Sequence, residues 1–410
     1  MDEESATTGR LRPIKPYISE EWDTTMTGSG EQALKTLASD YFDVIVAGLR
    51  MRDMDSGEML LEVAKKHPQM VRIVLAAQSD REAVPRSFGA AHLCLSKPCG
   101  SECLKQAITR ACHLRDALFS DSLNDSIVQL KKLPMIPPLY LEIMDCLKSA
   151  DCTSNKMGEI ISHDMGMTVT LLQLVNSPFF GHSRNVTNLG KAVSLLGFDT
   201  VRAIALSSQI FAQFDQRKLQ NNRLRGLWEH SLLIGAVARD ITLAENQERK
   251  MVDDAFIAGL LHDIGKLVIA YNYPEGHKEI LEKSFRERIS LEEAEVRVLG
   301  ASHAEIGGYL LDLWGFPYPV VEAVFFNHAP RESVTRKFAP LAAVHAADYI
   351  CAGLQADKSE LFCVPLSIDF DYLREIGLAE RTPVWESIFN YYLDIPCAAW
   401  YSPACAGIEQ

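Results

Sequence analysis

The chain has 410 residues, a net charge of -13 at pH 7 and a hydrophobic content of 47%. This length predicts two or three domains, and the composition is typical of a soluble globular protein. Because nucleic acids are bound mainly through cationic surfaces, the charge argues against direct DNA binding. The sequence has neither an apolar run long enough to span a membrane nor a signal-peptide core, so we expect a cytoplasmic location.

The ten cysteines include no Cys-x-x-Cys pair. Cys99 and Cys103 are one helical turn apart, and Cys94 and Cys112 lie near them. Two interpretations remain open, a redox or metal-binding group and reduced thiols with no such role. The second is favoured for a cytoplasmic protein.

The first region, residues 20–118, alternates between strand-like and helix-like segments. The expected strands are 22–27, 42–47, 71–77 and 90–95, and the expected helices are 29–39, 56–66 and 100–118. Strands separated by helices of this length predict a parallel sheet with helices on both faces.

This region contains FDVIVAGLRMRDMDSGEMLLEVAKKHPQMVRIVLAAQSD at 42–80 and LSKP at 95–98. These segments resemble the receiver domain of two-component response regulators, which implies a flavodoxin-like fold. Receivers place a phosphoacceptor Asp after the third strand, a hydroxyl after the fourth and a Lys after the fifth. The phosphoacceptor position here falls on Gly48 and the hydroxyl position on Ala76, whereas Lys97 is retained.

The resemblance therefore implies a degenerate receiver-like domain. The chain before Leu11 is too short and polar for the first strand, and Pro13 and Pro16 interrupt the first helix. Without the carboxylate nucleophile no acyl phosphate forms, and without the acidic pair of receivers there is no Mg²⁺ site. We expect Asp53 and Asp55 to be solvated in the following loop. Lys97 is interpreted as a remnant or an ion-pair partner.

After a connector with apolar residues at helical spacing, helical patterns dominate the second region. Its motifs are, in order, LP-x-x-P (133–137), Asp164, LLQLVNS (171–177), AVSLLG (192–197), W-x-H (228–230), GLLHDIGKL (259–267), SHAEIGGYLLDLWGFP (302–317) and NH (327–328). This order resembles an HDOD domain, an all-helical relative of the HD metal-dependent phosphohydrolases and usually an output module in bacterial signalling.

One apolar stretch of this region, AFIAGLLHDIGKLVIA at 255–270, is typical of a buried helix. His262, Asp263 and Lys266 interrupt it. An unpaired ionised group in such a helix costs several kcal/mol. A bound cation or a tight network of hydrogen bonds would each compensate for this cost, and both remain open for every candidate below.

The resemblance implies a set of metal ligands, since HD proteins bind metal through a His, a His-Asp pair and a later Asp, and two-metal members add histidines. The implied ligands are His230, His262, Asp263, His303, His328 and Asp348. Nitrogen and carboxylate donors of this mixture suit Fe, Mn, Zn or a similar divalent ion, and Mg is a further candidate. Asp263 and Lys266 are the candidate catalytic residues, with Lys266 neutralising the phosphate of a small molecule or nucleotide.

Two features limit this resemblance. The related HD-GYP cyclic-dinucleotide phosphodiesterases carry a His-His-Glu motif and an Asp-Gly-x-Gly-Tyr-Pro loop, whereas this chain has NHAPRESVTRKFAP at 327–340. We therefore do not expect cleavage of cyclic di-GMP. A second His-Asp pair, His163-Asp164, falls at a helix-start motif of the HDOD family, outside the metal signature.

These features predict an α/β fold followed by an all-α fold. The expected divisions are a receiver-like domain at 1–118 that lacks its first strand, a linker helix at 119–131, an HD-type helical domain at 132–350 and a helical extension with a tail at 351–410. The predicted function is regulation in a bacterial two-component system, through signalling partners, a second copy of the chain or a small ligand. The alternative is a metal-dependent phosphohydrolase acting on a phosphodiester or nucleotide.

Overall fold

The computed structural model describes most of the chain. The described residues are 22–48, 51, 53–54, 56–67, 70–76, 91–96, 99–120, 123, 126–127, 137–149, 151–177, 186–213, 221–355 and 368–393. The predictions for Lys97, Asp55 and the first strand, and most of the linker at 119–131, lie outside them.

The N-terminal region forms a parallel sheet with helices on both faces. Its strands are ordered β1-β2-β3, with Val46 opposite Ile73 and Ile73 opposite Leu93. The elements are α1 (Gly30–Ser39), β1 (Val44–Gly48), α2 (Ser56–Lys66), β2 (Val71–Ala76), β3 (Leu93–Ser96) and α3 (Ser101–Leu118). The predicted α/β fold is confirmed, and Gly48 and Ala76 are the last residues of their strands.

Alternation along β2 separates two cores, because successive strand residues point to opposite faces. Val74 packs with Met59 and Leu60 of α2. Val71, Ile73 and Leu75 belong to the large core that includes α3 and the helical region. One face of the sheet is therefore covered by the receiver-like domain's own helix and the other is continuous with the rest of the molecule.

Two expectations for this region are wrong in part. Residues 22–27 are irregular rather than a strand, and the described sheet consists of β1, β2 and β3 alone. Asp53 is exposed, as expected, but it is not simply solvated. Its carboxylate accepts hydrogen bonds from the backbone N–H groups of Gly30 at 3.1 Å and Glu31 at 2.9 Å. Asp53 thus satisfies orphan donors at the N-terminus of α1.

The remaining elements are helical, as predicted. They are α4 (Pro138–Lys148), α5 (Ser154–Ser162), α6 (Met165–Asn176), α7 (Leu189–Leu196), α8 (Phe198–Gln213), α9 (Asn221–Glu245), α10 (Arg249–Leu261), α11 (Ile264–Asn272), α12 (Pro274–Glu287), α13 (Leu291–Leu299), α14 (His303–Leu313), α15 (Tyr318–Phe325), α16 (Pro340–Gln355), α17 (Phe370–Glu375) and α18 (Thr382–Leu393), with short 3₁₀ turns at Pro330–Glu332 and Ala379–Arg381. Within the described ranges, no helix is both long enough and apolar enough to cross a membrane.

The two C-terminal helices pack on the helical domain, as their amphipathic patterns predict. Trp385 of α18 is fully buried, and its Nε1 donates to Glu245 Oε1 on α9 at 2.9 Å. Arg381 Nε donates to the same oxygen at 2.8 Å. The C-terminal helices thus extend the core on the side of the long helix α9.

Candidate metal centre

Two glycines allow α9 and α10 to approach closely at the centre of the helical domain. A Cβ atom on Gly259 would lie 2.7 Å from the Cα atom of Gly235, far inside van der Waals contact. Without this contact, the helices would be held further apart by side chains. The close approach brings His230 of α9 next to His262 at the end of α10, with ring centroids 5.1 Å apart.

A third glycine brings the second half of the site into reach. A Cβ atom on Gly265 would lie 1.9 Å from the carbonyl oxygen of His303. Gly265 belongs to the HDIGK motif, and His303 is the first residue of α14. The glycine is therefore required so that α11 can contact the start of α14 beside Asp263.

All six predicted ligands converge at this place. The donor atoms of five of them form two groups that share Asp263, and in each group the atoms lie within 4.8 Å of one another. We call His230, His262 and Asp263 the first group, and Asp263, His303 and His328 the second group. Asp348 of α16 adjoins both, since its Oδ1 is 3.4 Å from His230 Nε2 and its Oδ2 is 4.0 Å from His328 Nδ1.

The tautomer of His262 leaves a nitrogen lone pair facing the first group. Its Nδ1 is 2.7 Å from the carbonyl oxygen of Gly259, which can only accept, so Nδ1 carries the proton. Burial lowers the pKa of His262 to about 4 despite the nearby carboxylates of Asp263 and Asp348, so the ring is neutral. His262 Nε2 therefore carries a lone pair, and it lies 3.3 Å from Asp263 Oδ1.

These two acceptor atoms face each other with no donor from the described residues between them. Both His262 Nε2 and Asp263 Oδ1 are buried, and neither has a hydrogen-bond partner within the part of the chain that the structure describes. Two acceptor atoms facing each other repel, and burial without a donor costs free energy. A divalent cation between imidazole nitrogens and carboxylate oxygens fits this donor set.

His303 is prepared in the same way in the second group. Its Nδ1 and its backbone N–H both lie 2.7 Å from Glu295 Oε2, so the carboxylate accepts from both. His303 Nε2 then faces His328 Nε2 at 3.1 Å and Asp263 Oδ1 at 3.5 Å. Burial opposes a charge on His303, but Glu295 raises its pKa above the ordinary histidine value.

Lys266 occupies the edge of the cluster. Its Nζ donates to Asp263 Oδ2 at 2.8 Å, and its side chain is 19% exposed, against 1% for Asp263. Burial opposes the charged form of Asp263, but the positive charge of Lys266, with those of His303 and His230 when protonated, keeps its pKa below the ordinary value. Burial also opposes the charge on Lys266, whose pKa is nevertheless raised by Asp263 and Asp348.

The structure adds residues that the sequence did not single out. Glu295 anchors His303, Asn327 Nδ2 donates to Asp348 Oδ2 at 3.1 Å, and Glu292 Oε1 lies 3.3 Å from His328 Nε2. Asn327 lies in the NH motif at 327–328, but its contact with Asp348 could not be inferred from it. The signal for the two glutamates was only their spacing of three residues before the SHAEIGG motif, which is common on exposed helices. Their functional placement could not be read from that spacing.

Two other polar residues have structural roles. His345 Nδ1 donates to the carbonyl oxygen of Asn327 at 2.6 Å, and its Nε2 accepts from the N–H of Asp369 at 2.9 Å. Asp164, from the second His-Asp pair, is the N-cap of α6 and accepts from the N–H of Met167 at 2.8 Å. Neither residue is part of the two groups, as the sequence predicts for Asp164.

Comparison with known families identifies two domains in the chain. Residues 133–330 match the HDOD domain, and residues 10–109 match the response regulator receiver domain. The chain thus contains an HDOD domain preceded by a receiver-like domain. The two candidate donor groups lie mainly within the HDOD domain, with Asp348 beyond the matched residues.

Individual relatives cover parts of the chain. A protein of Treponema pallidum (strain Nichols) is 26% identical over 211 residues, which are 50% of this chain and 40% of the relative. The transcriptional regulatory protein GlrR of Escherichia coli (strain K12) is 32% identical over 94 residues, 23% of this chain and 21% of that protein. The matches thus span less than half the length of these curated relatives.

Solved structures show the same fold. An HDOD domain protein of unknown function from Geobacter sulfurreducens has a TM-score of 0.51 at 21% identity, covering 71% of this chain and 97% of that one. A protein from Marinobacter aquaeolei VT8 has a TM-score of 0.50 at 17% identity, covering 92% of this chain and 86% of that one.

Proposed function

We propose that this chain is a bacterial signalling regulator whose HDOD domain binds a divalent transition-metal ion and acts through a partner protein or a small ligand. The observation that supports this most directly is the convergence of six donor residues around two acceptor atoms, His262 Nε2 and Asp263 Oδ1, that have no described hydrogen-bond donor. The receiver-like domain, without a phosphoacceptor, would associate with other signalling proteins or with a second copy of the chain.

The charge of the site supports a cation. Four carboxylates line the site, those of Asp263, Asp348, Glu292 and Glu295. Two positive groups face them, Lys266 and His230; burial opposes the charge on His230, but Asp348 raises its pKa to about 10. A bound ion would be held by the carboxylates of Asp263 and Asp348 and by the imidazole nitrogens of the two groups. When bound, it would polarise a phosphoryl oxygen and lower the pKa of a bound water. The chain's own contribution is to hold His262 as the neutral tautomer protonated at Nδ1 and to present Lys266 at the edge.

Limited exposure favours ligand binding over catalysis on a large substrate. The side chains of His262 and His303 are fully buried, while those of His328 and Lys266 are 13% and 19% exposed. A phosphate group could contact Lys266 at this edge without entering between the donors.

Asn327 precedes His328 in place of the first histidine of the HD-GYP pair, and its amide contacts Asp348.

A metal-dependent phosphohydrolase remains the second candidate. Asp263 belongs to both donor groups, which is the arrangement expected when one carboxylate bridges two cations. Two-cation sites stabilise both the attacking and the leaving oxygen in phosphodiester hydrolysis. In this case Asp263 would hold both ions and Lys266 would neutralise the substrate phosphate.

Elemental analysis of protein purified without chelator tests the first proposal. We expect a divalent transition metal in the wild type and its loss in His262→Ala and Asp263→Ala, because each variant removes a buried donor. His163→Ala is the matched control, since it alters the other His-Asp pair. A wild-type protein without metal, or metal that persists in both site variants, would contradict the proposal.

A hydrolysis assay separates the two candidates. The metal-loaded protein is incubated with a chromogenic phosphodiester and with nucleotides. Turnover that disappears in Lys266→Met and Asp263→Asn supports the phosphohydrolase. Metal content without turnover of any of these substrates supports the regulator.

A further inference from the structure

The receiver-like domain contacts the part of the HDOD domain that leads to His328. Helix α3 packs against α14 and α15. Arg110 Nη2 of α3 donates to Glu322 Oε2 of α15 at 2.6 Å. His113, almost one turn further along α3, stacks on Phe326 with ring centroids 5.8 Å apart. Since Phe326 lies two residues before His328, α3 directly supports the backbone that carries this candidate ligand.

Glu322 holds both ends of the segment 322–335. Its side chain is 5% exposed and receives the charge of Arg110 through one oxygen. The other oxygen, Oε1, accepts hydrogen bonds from Ser333 Oγ at 2.9 Å and Thr335 Oγ1 at 2.7 Å. A buried carboxylate is strongly unfavourable without a countercharge. Residues 322–335 are therefore held together by the Glu322 carboxylate, and the countercharge of this carboxylate is Arg110 of the receiver-like domain.

The same segment enters the candidate metal centre. Asn327 donates from Nδ2 to Asp348 Oδ2 at 3.1 Å, and its carbonyl oxygen accepts from His345 Nδ1 at 2.6 Å. His328 Nε2 lies 3.1 Å from His303 Nε2. A displacement of 322–335 would consequently change the second group, while the histidines of the first group remain fixed on α9 and α10.

We propose that the receiver-like domain positions the second donor group through the Arg110–Glu322 pair and the His113–Phe326 stack. A signalling partner that displaces α3 would then alter cation binding at His328 without any phosphoryl transfer. This explains how a receiver-like domain that has Gly48 at the phosphoacceptor position can still transmit a signal to the HDOD domain. The cation readout rests on the proposed function, whereas the structural link between α3 and segment 322–335 does not.

The test uses the full chain with Arg110→Ala and Arg110→Lys. The matched control is Arg115→Ala, because Arg115 pairs with Asp43 and Asp116 inside its own domain. We expect amide hydrogen exchange over 322–335 to become about tenfold faster in Arg110→Ala, since the segment loses the countercharge of its buried carboxylate. Exchange there should stay close to wild type in Arg110→Lys and in the control.

Titration with Mn²⁺ followed by calorimetry gives the second readout. We expect binding at the second group to weaken about tenfold in Arg110→Ala, with binding at the first group retained. If Arg110→Ala does not fold, His113→Ala removes the stacking contact instead and is measured in the same way.

Three outcomes are decisive. Unchanged exchange over 322–335 in a folded Arg110→Ala protein would overturn the proposal. Equally faster exchange throughout the HDOD domain would also overturn it, because Arg110 would then act on global stability. If the wild type binds no Mn²⁺, the proposed metal function fails, and the exchange data alone decide whether α3 positions the segment.

Discussion

Replacing Glu295 with Gln tests whether a buried carboxylate prepares His303 to bind a cation. Glu295 is 2% exposed, and its Oε2 accepts two hydrogen bonds of 2.7 Å from His303. A hydrogen bond to a charged group contributes about 1.5–3 kcal/mol and is roughly twice as strong as a neutral one. Gln keeps the shape of the Glu295 side chain and removes its charge, so each of the two hydrogen bonds should contribute about half as much as before. The free energy of unfolding should then fall by about 2 kcal/mol.

The same substitution should weaken metal binding. A carboxylate behind a ligating imidazole fixes its tautomer and raises its basicity, and its loss commonly lowers metal affinity about 10- to 100-fold. We expect a decrease of this size in calorimetric Mn²⁺ titrations of Glu295→Gln. Urea unfolding followed by circular dichroism measures the accompanying loss of stability.

Glu293→Gln is the matched control for this prediction. Glu293 lies on the same helix, but its side chain is 49% exposed and pairs with Arg297 on the surface. Surface ion pairs contribute little to stability, so both measurements should remain near wild type. The reasoning would be refuted by a folded Glu295→Gln protein with wild-type stability and wild-type Mn²⁺ affinity.

Three further predictions follow from other contacts. Gly265→Ala should destabilise the fold and abolish metal content, because the Cβ of the new alanine would lie 1.9 Å from the His303 carbonyl oxygen. Thermal melting and elemental analysis measure the two effects, and a normal melting temperature with normal metal content would contradict this packing. Burial raises the pKa of Asp312 from 3.8 to about 6, so the Asp312 carboxyl binds a proton more tightly in the folded state than in the unfolded state. The free energy of unfolding therefore falls as the pH rises from about 4 to about 6. Asp312→Asn should thus be at most about 3 kcal/mol more stable than wild type at pH 7 and equal to it below pH 4 in urea unfolding; a gain that does not depend on pH would show another cause. Trp385→Phe removes the hydrogen bond to Glu245 Oε1 and leaves a cavity. The melting temperature should therefore fall by several degrees while the metal content stays unchanged. Loss of metal would show that the C-terminal helices also shape the site.

Short-range patterns explain why much of the fold was predictable. The helix at Ser56–Lys66 has the predicted bounds, and the helix predicted from residue 29 begins there, with Ser29 as an N-cap that accepts from the N–H of Gln32. Asp164 likewise begins a helix rather than joining the site. Side-chain periodicity and capping operate over a few residues, so the sequence alone carries this information.

The prediction failed where an element needed a partner far along the chain. Residues 22–27 have strand-like composition but do not pair with either edge of the described sheet, and they are irregular. Asp53 was expected to be solvated, yet α1 begins within reach of its carboxylate. Both outcomes depend on which segments become neighbours, and local sequence does not specify that.

The candidate centre shows the same division. The sequence by itself determined which residues have ligand chemistry, since the motifs around His230, His262 and Asp263 contain the donor types that a divalent cation requires. Only the tertiary structure decided that these atoms meet, through the glycine contact between α9 and α10, and that Glu295 accepts hydrogen bonds from His303. Donor chemistry belongs to each side chain, whereas distance and burial arise only when helices far apart in the chain pack together.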